Sequence, residues 1–317
     1  VNNIMTINWF PGHMHKAQKE IRALIPEVDL VIEVLDARLP YSSQNPLLAK
    51  IRGHKPTIQL LNKADLADSD VTGQWLQAFE QVDQAKAYAV SLSEPAVMKQ
   101  IPVWCRAMFP EREVNKKPIQ VLIMGVPNAG KSTVINVIAE RGIANTGDEA
   151  AVTKRQQRIK LPKNVILHDT PGVLWPRFDN QYSAHRLAIA GSIKSSVVDM
   201  GDLAHFLTAF LAADYPEAIV ERFQVAVADD FNVNDDMVVY ELMEAMAKAR
   251  HFVQAGNQAD MERFYRQLIT EFRQGQLGRI TLETPAMQKK EVAEVEQMLA
   301  DKAAKKAARK ERFKKKR

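Results

Sequence analysis

Three short stretches hold residue types that together can grip a nucleotide. Residues 125–132 read Gly-Val-Pro-Asn-Ala-Gly-Lys-Ser, a complete G-x-x-x-x-G-K-[ST] run. An apolar stretch, Ile119–Met124, precedes it and a helical pattern, Thr133–Ala139, follows, which is the setting a phosphate-binding loop needs. In such a loop the backbone around Asn128, Ala129, Gly130 and Thr133 turns its N–H groups onto the phosphates at a helix N-terminus. Lys131 would reach the β- and γ-oxygens, and the Ser132 hydroxyl would face Mg²⁺.

The second stretch is Asn62-Lys63-Ala64-Asp65, at the end of a strand-like run, Thr57–Leu61. Asp65 can accept from the N1–H and exocyclic amine of guanine, donors that adenine does not present in that arrangement. The Lys63 stem can lie along the base plane, and Asn62 can tie this loop to the phosphate loop. Ser91-Leu92, after the next strand, would offer a backbone N–H to the guanine O6. The third stretch is Asp169-Thr-Pro-Gly172. Asp169 would hold Mg²⁺ through water, and the Gly172 N–H would sense the γ-phosphate. Thr153 lies between the phosphate loop and this motif, where a switch threonine would reach the metal.

Placing these loops requires a particular scaffold. Between about residues 28 and 172, short apolar strands alternate with helical stretches, the pattern of an α/β fold with a mostly parallel sheet. The candidate strands are Leu30–Leu35, Thr57–Leu61, Ala87–Val90, Ile119–Met124 and Val165–His168, and most end in polar or glycine-rich turns, where open α/β sheets bind ligands. A short amphipathic helix is expected from about His15 to Leu24. Residues 182–275 read as helices, with apolar rows such as Val239, Leu242, Met243, Met246 and Met261, Phe264, Leu268, Phe272 that suit core packing. The domain reading is therefore 1–178 for a P-loop GTPase-type unit with an N-terminal helical segment, 179–286 for an all-helical unit, and 287–317 for a basic, disordered tail.

Composition narrows the class. The 317 residues are 46% hydrophobic and 26% charged, as in ordinary soluble proteins. One cysteine excludes a disulfide framework and fits a reducing, cytoplasmic setting. No apolar run is long enough to span a bilayer, and no membrane role is expected. The net charge of +5 is unevenly spread: residues 302–317 carry +9 and the rest −4. A tail of that kind suits a polyanion such as RNA.

In ordinary GTPases the phosphate loop comes first, whereas here N-K-x-D precedes it by about 60 residues. The order implies circular permutation, with the segment after Gly172 leading directly into the helical region. The chain resembles the circularly permuted GTPases of the YlqF/RbgA type. The likeness rests on Asn8-Trp-Phe-Pro-Gly-His13-Met14, Asp36-Ala-Arg38, Asn62-Lys-Ala-Asp65, the phosphate loop, Asp169-Thr-Pro-Gly172 and Val173-Leu-Trp-Pro176, across about residues 5–285. It implies association with the large (50S) ribosomal subunit precursor in late assembly and RNA contact through the helical region; GTP and GDP are the nucleotides the motifs point to, and a monomer is expected. Two segments depart from the family pattern: Glu149-Ala-Ala-Val-Thr153 lacks the Pro-Gly common before the switch threonine, and Ser91-Leu-Ser-Glu lacks a small residue after the serine.

Hydrolysis needs a further group. Where many GTPases carry a water-orienting glutamine, this chain has Val173. His13 can swing toward the γ-phosphate, a role the resemblance favours. Asn128 can instead help hold a K⁺ ion, or the ribosomal particle can order these groups. Two other functions compete. A permuted GTPase acting on the small subunit would bring a Cys/His zinc domain, which one cysteine does not allow. An RNA-binding module with a merely structural nucleotide site would not need Lys131, Ser132 and Asp169 intact.

Overall fold

The computed structural model describes residues 6–114, 117–140, 142 and 157–314. The chain runs α1 (Gly12–Leu24), β1 (Leu30–Asp36), α2 (Pro46–Arg52), β2 (Thr57–Asn62), α3 (Ser69–Glu80), β3 (Ala85–Ala89), α4 (Pro95–Met98), α5 (Ile101–Ala107), α6 (Pro110–Val114), β4 (Ile119–Gly125) and α7 (Lys131–Ile138). It continues through β5 (Gln157–Leu161), β6 (Val165–Asp169), α8 (Gln181–Ile189), α9 (Met200–Asp214), α10 (Pro216–Phe223), α11 (Asp236–Ala249), α12 (Met261–Gln274) and α13 (Pro285–Lys314).

The strands form one sheet in the order β3-β2-β1-β4-β6-β5. Every pair is parallel except β5 with β6. β1 and β2 are buried along their whole length, as strands covered on both faces must be. The antiparallel edge strand β5 corrects the five-strand expectation. Its sequence, Gln-Arg-Ile-Lys-Leu, alternates so that only Ile159 and Leu161 face the core.

Helices follow from their caps. Asn45 accepts from the N–H groups of Leu47 and Leu48 and Pro46 opens α2, while Asp68 caps α3 and Asp235 caps α11. The expected apolar rows of α11 and α12 lie inward: Val239, Met243, Met246, Phe264, Leu268 and Phe272 are buried. Met243, Met246, Phe264, Leu268 and Phe272 belong to the same continuous core as the sheet residues Val31, Leu122 and Leu167.

The tail departs from expectation. Residues 287–314 are helical rather than disordered, and α13 crosses the expected boundary at 286/287 without a break. Ala, Lys, Glu, Gln and Met dominate this segment, and these are strong helix formers. Its first turns are also fastened: Glu291 is buried against Arg186, at 2.6 Å and 3.0 Å, and accepts from Asn180 Nδ2 at 2.9 Å.

Candidate nucleotide site

The parallel strands bring their carboxyl ends to one edge, with β1 between β2 and β4. The N-K-x-D loop thus leaves β2, the phosphate loop leaves β4 and Asp169 ends β6, side by side. Asn62 Nδ2 donates to Ala129 O at 2.8 Å, and Lys63 Nζ donates to Asn128 O at 2.7 Å. Two loops more than 60 residues apart are thereby joined by direct bonds.

The close fit uses special backbone geometry. Gly130 has φ +89°, and a side chain there would strike the Asn62 amide. Lys63 (φ 61°) and Asn128 (φ 60°) also adopt left-handed conformations. Such conformations concentrate where surrounding structure holds a site in one shape.

Lys131 and Asp169 form an ion pair at 2.7 Å, and both are buried. The second carboxylate oxygen of Asp169 is buried without a partner, and the Ser132 hydroxyl has no protein partner among the described residues. A buried orphan carboxylate oxygen and a hydroxyl without a protein partner are hard-oxygen donors of the kind that Mg²⁺ prefers. Gly172 packs so closely on Pro127 that an added Cβ would lie 3.0 Å from its backbone, and Val173 N donates to Gly125 O at 3.2 Å. The Asp169–Gly172 motif therefore rests directly on the phosphate loop.

The other expected residues lie in the turns and helix ends that follow these strands or dock on them. Asp65 lies in a short turn, Ala64–Leu66, half-buried and with no polar partner among the described residues. Ala64 N donates to Val90 O at 3.2 Å, which brings the segment Ser91-Leu92 beside the base-reading loop. Ser91 is buried, its hydroxyl 2.6 Å from that of Ser93, and Leu92 is exposed. His13 is exposed in the first turn of α1, while its neighbour Met14 is buried and accepts at sulfur from Leu174 N at 3.4 Å. The N-terminal motif thus docks on the segment just past Gly172. Thr153 lies outside the described residues.

Sequence reasoning assigned no role to the charges at the tip of β1. Asp36 sits between the two loops and accepts from Lys63 Nζ at 2.8 Å and bidentately from Arg38 at 2.9 Å and 2.8 Å. Burial pushes the Asp36 carboxyl up, but the Arg38 and Lys63 cations outweigh it and hold it well below the usual carboxylate range. Arg38 also donates to the carbonyls of Phe272 (3.0 Å) and Arg273 (3.3 Å), at the end of α12. On the phosphate side, Asn128 Nδ2 donates to Gly191 O at 2.7 Å and Ser192 Oγ to Pro127 O at 2.7 Å. The helical region therefore holds the phosphate loop directly and reaches Lys63 of the N-K-x-D loop through Arg38 and Asp36. The partners in the helical region lie 63 to 235 residues away in the chain, beyond any local spacing rule.

A parallel sheet with its phosphate loop on the fourth strand and an N-K-x-D loop on the second defines a circularly permuted P-loop GTPase. A family model described as 50S ribosome-binding GTPase matches residues 120–222. Ribosome biogenesis GTPase A of Bacillus cereus is 38% identical over 301 residues, covering 93% of this chain and 99% of that protein. The Thermotoga maritima protein of the same name is 30% identical, covering 88% of this chain and 95% of its own length. This chain belongs to the ribosome biogenesis GTPase A (YlqF/RbgA) family, and it is a GTPase of ribosome assembly. The solved structure of GNP-bound YlqF from T. maritima aligns with a TM-score of 0.58 at 28% identity, covering 85% of this chain and 98% of that one.

Proposed function

We propose that this GTPase binds the precursor of the large ribosomal subunit in a nucleotide-dependent way, as a cytoplasmic monomer, and that hydrolysis times a late assembly step. The observation that carries the reading is the direct bonding of Asn62 and Lys63 to the phosphate loop, with the helical region clamped to both loops through Arg38 and Asn128. A change at the nucleotide is then felt by the helices.

In this reading Asp65 accepts from the guanine edge, the Lys63 stem covers the base and the segment Ser91-Leu92 meets O6. Lys131 leaves the Asp169 carboxylate for the β- and γ-oxygens when GTP enters, and the Gly172 N–H meets the γ-phosphate. Ser132 and Asp169, with Thr153, would hold Mg²⁺, which when bound neutralises charge on the phosphates. Val173 is fully buried and has no hydrogen-bonding side chain, so it cannot position water. His13 is exposed and precedes Met14, which meets Leu174 N, and it is the group we assign to that task.

Turnover should be slow alone and rise on adding 50S particles, and the particle should bind more tightly with a GTP analogue than with GDP. His13→Ala should lower the stimulated rate by about 100-fold, the scale of a lost proton-handling or water-positioning group, with GDP affinity unchanged. Equal particle affinity in the two nucleotide states would refute the functional reading. A stimulated rate within about twofold of wild type would remove His13 from the mechanism.

A second cation is a separate matter. Asn128 stands in the phosphate loop with a left-handed backbone, where its side chain is fixed toward the helical region. We assign it a share in a K⁺ site that offsets transition-state charge. Turnover in KCl should exceed that in NaCl at equal ionic strength by about tenfold or more. Equal rates would exclude the ion.

A further inference from the structure

α13 changes character along its length. Between Glu291 and Leu299, Val292, Val295, Met298 and Leu299 recur at helical spacing and are partly covered by the body. From Ala300 to Lys306 every residue is exposed, so the helix leaves the body there. The cations beyond that point are not scattered. Lys302, Lys305 and Lys306 stand at i, i+3 and i+4, and Arg309 and Lys310 continue the series at i+7 and i+8 in the sequence. That spacing sets one or two positive charges on the same helix face at every turn of about 5.4 Å. Between them lie Ala303, Ala304, Ala307 and Ala308.

We propose that the distal part of α13 is a preformed helical arm whose basic face lies along the phosphate backbone of RNA. A cation row interleaved with alanines, in which Phe313 is the single large apolar residue after Lys302, can pair with a regularly charged polyanion but has no large apolar face to enter a bilayer. The rest of the chain carries −4, so the charge that would draw RNA is concentrated in this arm. The root fixes its direction. Glu291 is gripped by Arg186 and by Asn180, the residue that caps α8, so the arm leaves the body from the helix that follows the Gly172 segment. Because the helix is already formed, its cations need no further ordering of the backbone before they meet phosphates. The choice of RNA among polyanions rests on the ribosomal target proposed above. The binding itself is tested without ribosomes.

The test uses the full chain and a labelled RNA duplex of about 20 base pairs, with affinity measured from about 50 to 200 mM KCl. The triple variant K302Q/K305Q/K306Q should lower the slope of log affinity against log salt by about 2, at roughly 0.7–0.9 per phosphate released. A second variant, A304K/K305A/K306A/A308K, keeps composition and net charge but moves two cations off the row, and should lower the slope by about 1–2. Basal GTP turnover should stay at the wild-type level in both, since neither touches the nucleotide site. An unchanged slope in the triple variant would overturn the arm. A wild-type slope in the rearranged variant would overturn the ordered face in favour of diffuse charge. Binding to phosphatidylserine-containing vesicles that falls in the triple variant, with RNA binding unaffected, would overturn RNA as the partner. If the slopes fall as expected while particle affinity ignores the nucleotide, the arm stands and only the functional reading fails.

Discussion

Asp65→Ala is expected to weaken GTP binding by about 100-fold or more while leaving the weak binding of ATP where it was. The base presents two donors to one carboxylate, and removing a charged acceptor leaves both unpaired at a cost of about 3 kcal/mol or more. The geometry allows a clean result. Asp65 has no polar partner among the described residues, so its removal breaks no bond of the resting protein. Asn62 and Lys63 would still hold the loop to Ala129 and Asn128. Asp65→Asn adds a sharper readout. Xanthine carries a carbonyl where guanine carries its amine, so an amide donor at this position should favour XTP. Competition titrations with GTP, ATP and XTP would measure both effects. If ATP competed as well as GTP against the wild type, the assignment of this loop to guanine would fall.

The second large effect concerns stability. Arg186 lies buried between two carboxylates, 3.3 Å from Glu283 and 2.6 Å from Glu291. Glu283 in turn accepts from Ser42 N at 2.8 Å and from Ser42 Oγ at 2.5 Å, and its backbone carbonyl accepts from Trp75 Nε1 at 2.9 Å. Burial lifts the Glu283 carboxyl above its ordinary range, with Arg186 and Ser42 offsetting only part of the rise. Arg186→Leu strands two buried carboxylates, which should cost about 3–5 kcal/mol. The loss should depend on pH in a defined direction. A carboxyl raised in the folded state, as that of Glu283 is, binds more protons there than in the unfolded chain, so the variant should regain stability as pH falls and lose it as pH rises. Denaturant melts of the variant at pH 5 and pH 8 would show this, at the ends of the range where proteins are ordinarily most stable. Adding Glu283→Gln should restore part of the deficit, because a neutral amide no longer needs the cation. A variant as stable as wild type at pH 8 would show that the cluster does not hold α13 to the body.

Much of the site could be read from the sequence because its chemistry is local. The phosphate loop, Asn62–Asp65 and Asp169–Gly172 are each contiguous, and each follows an apolar run that becomes a parallel strand. The permuted order was equally plain, since it needs only the sequence of motifs. What stayed hidden is what the fold joins across distance. Arg38 meets Phe272 across 234 residues and Arg186 meets Glu291 across 105, and no periodicity points to such partners. β5 is hard to read from the sequence because five residues with two inward side chains make a weak pattern. The tail differs for another reason. Its charge count suggested disorder, whereas its alanines, its Pro285 start and the row Val292, Val295, Met298 favour a docked helix.

The double grip of the helical half has a thermodynamic corollary. Arg38 reaches α12 and Asn128 reaches Gly191, so with the nucleotide placed as proposed above, a body seated on those helices would be linked to both of its ends. Linkage is reciprocal: if the triphosphate tightens the hold on that body by some factor, the body must tighten the hold on the triphosphate by the same factor. Retention of GTP on the occupied protein is then a measure, taken from the opposite direction, of the same free energy that recruits the cargo.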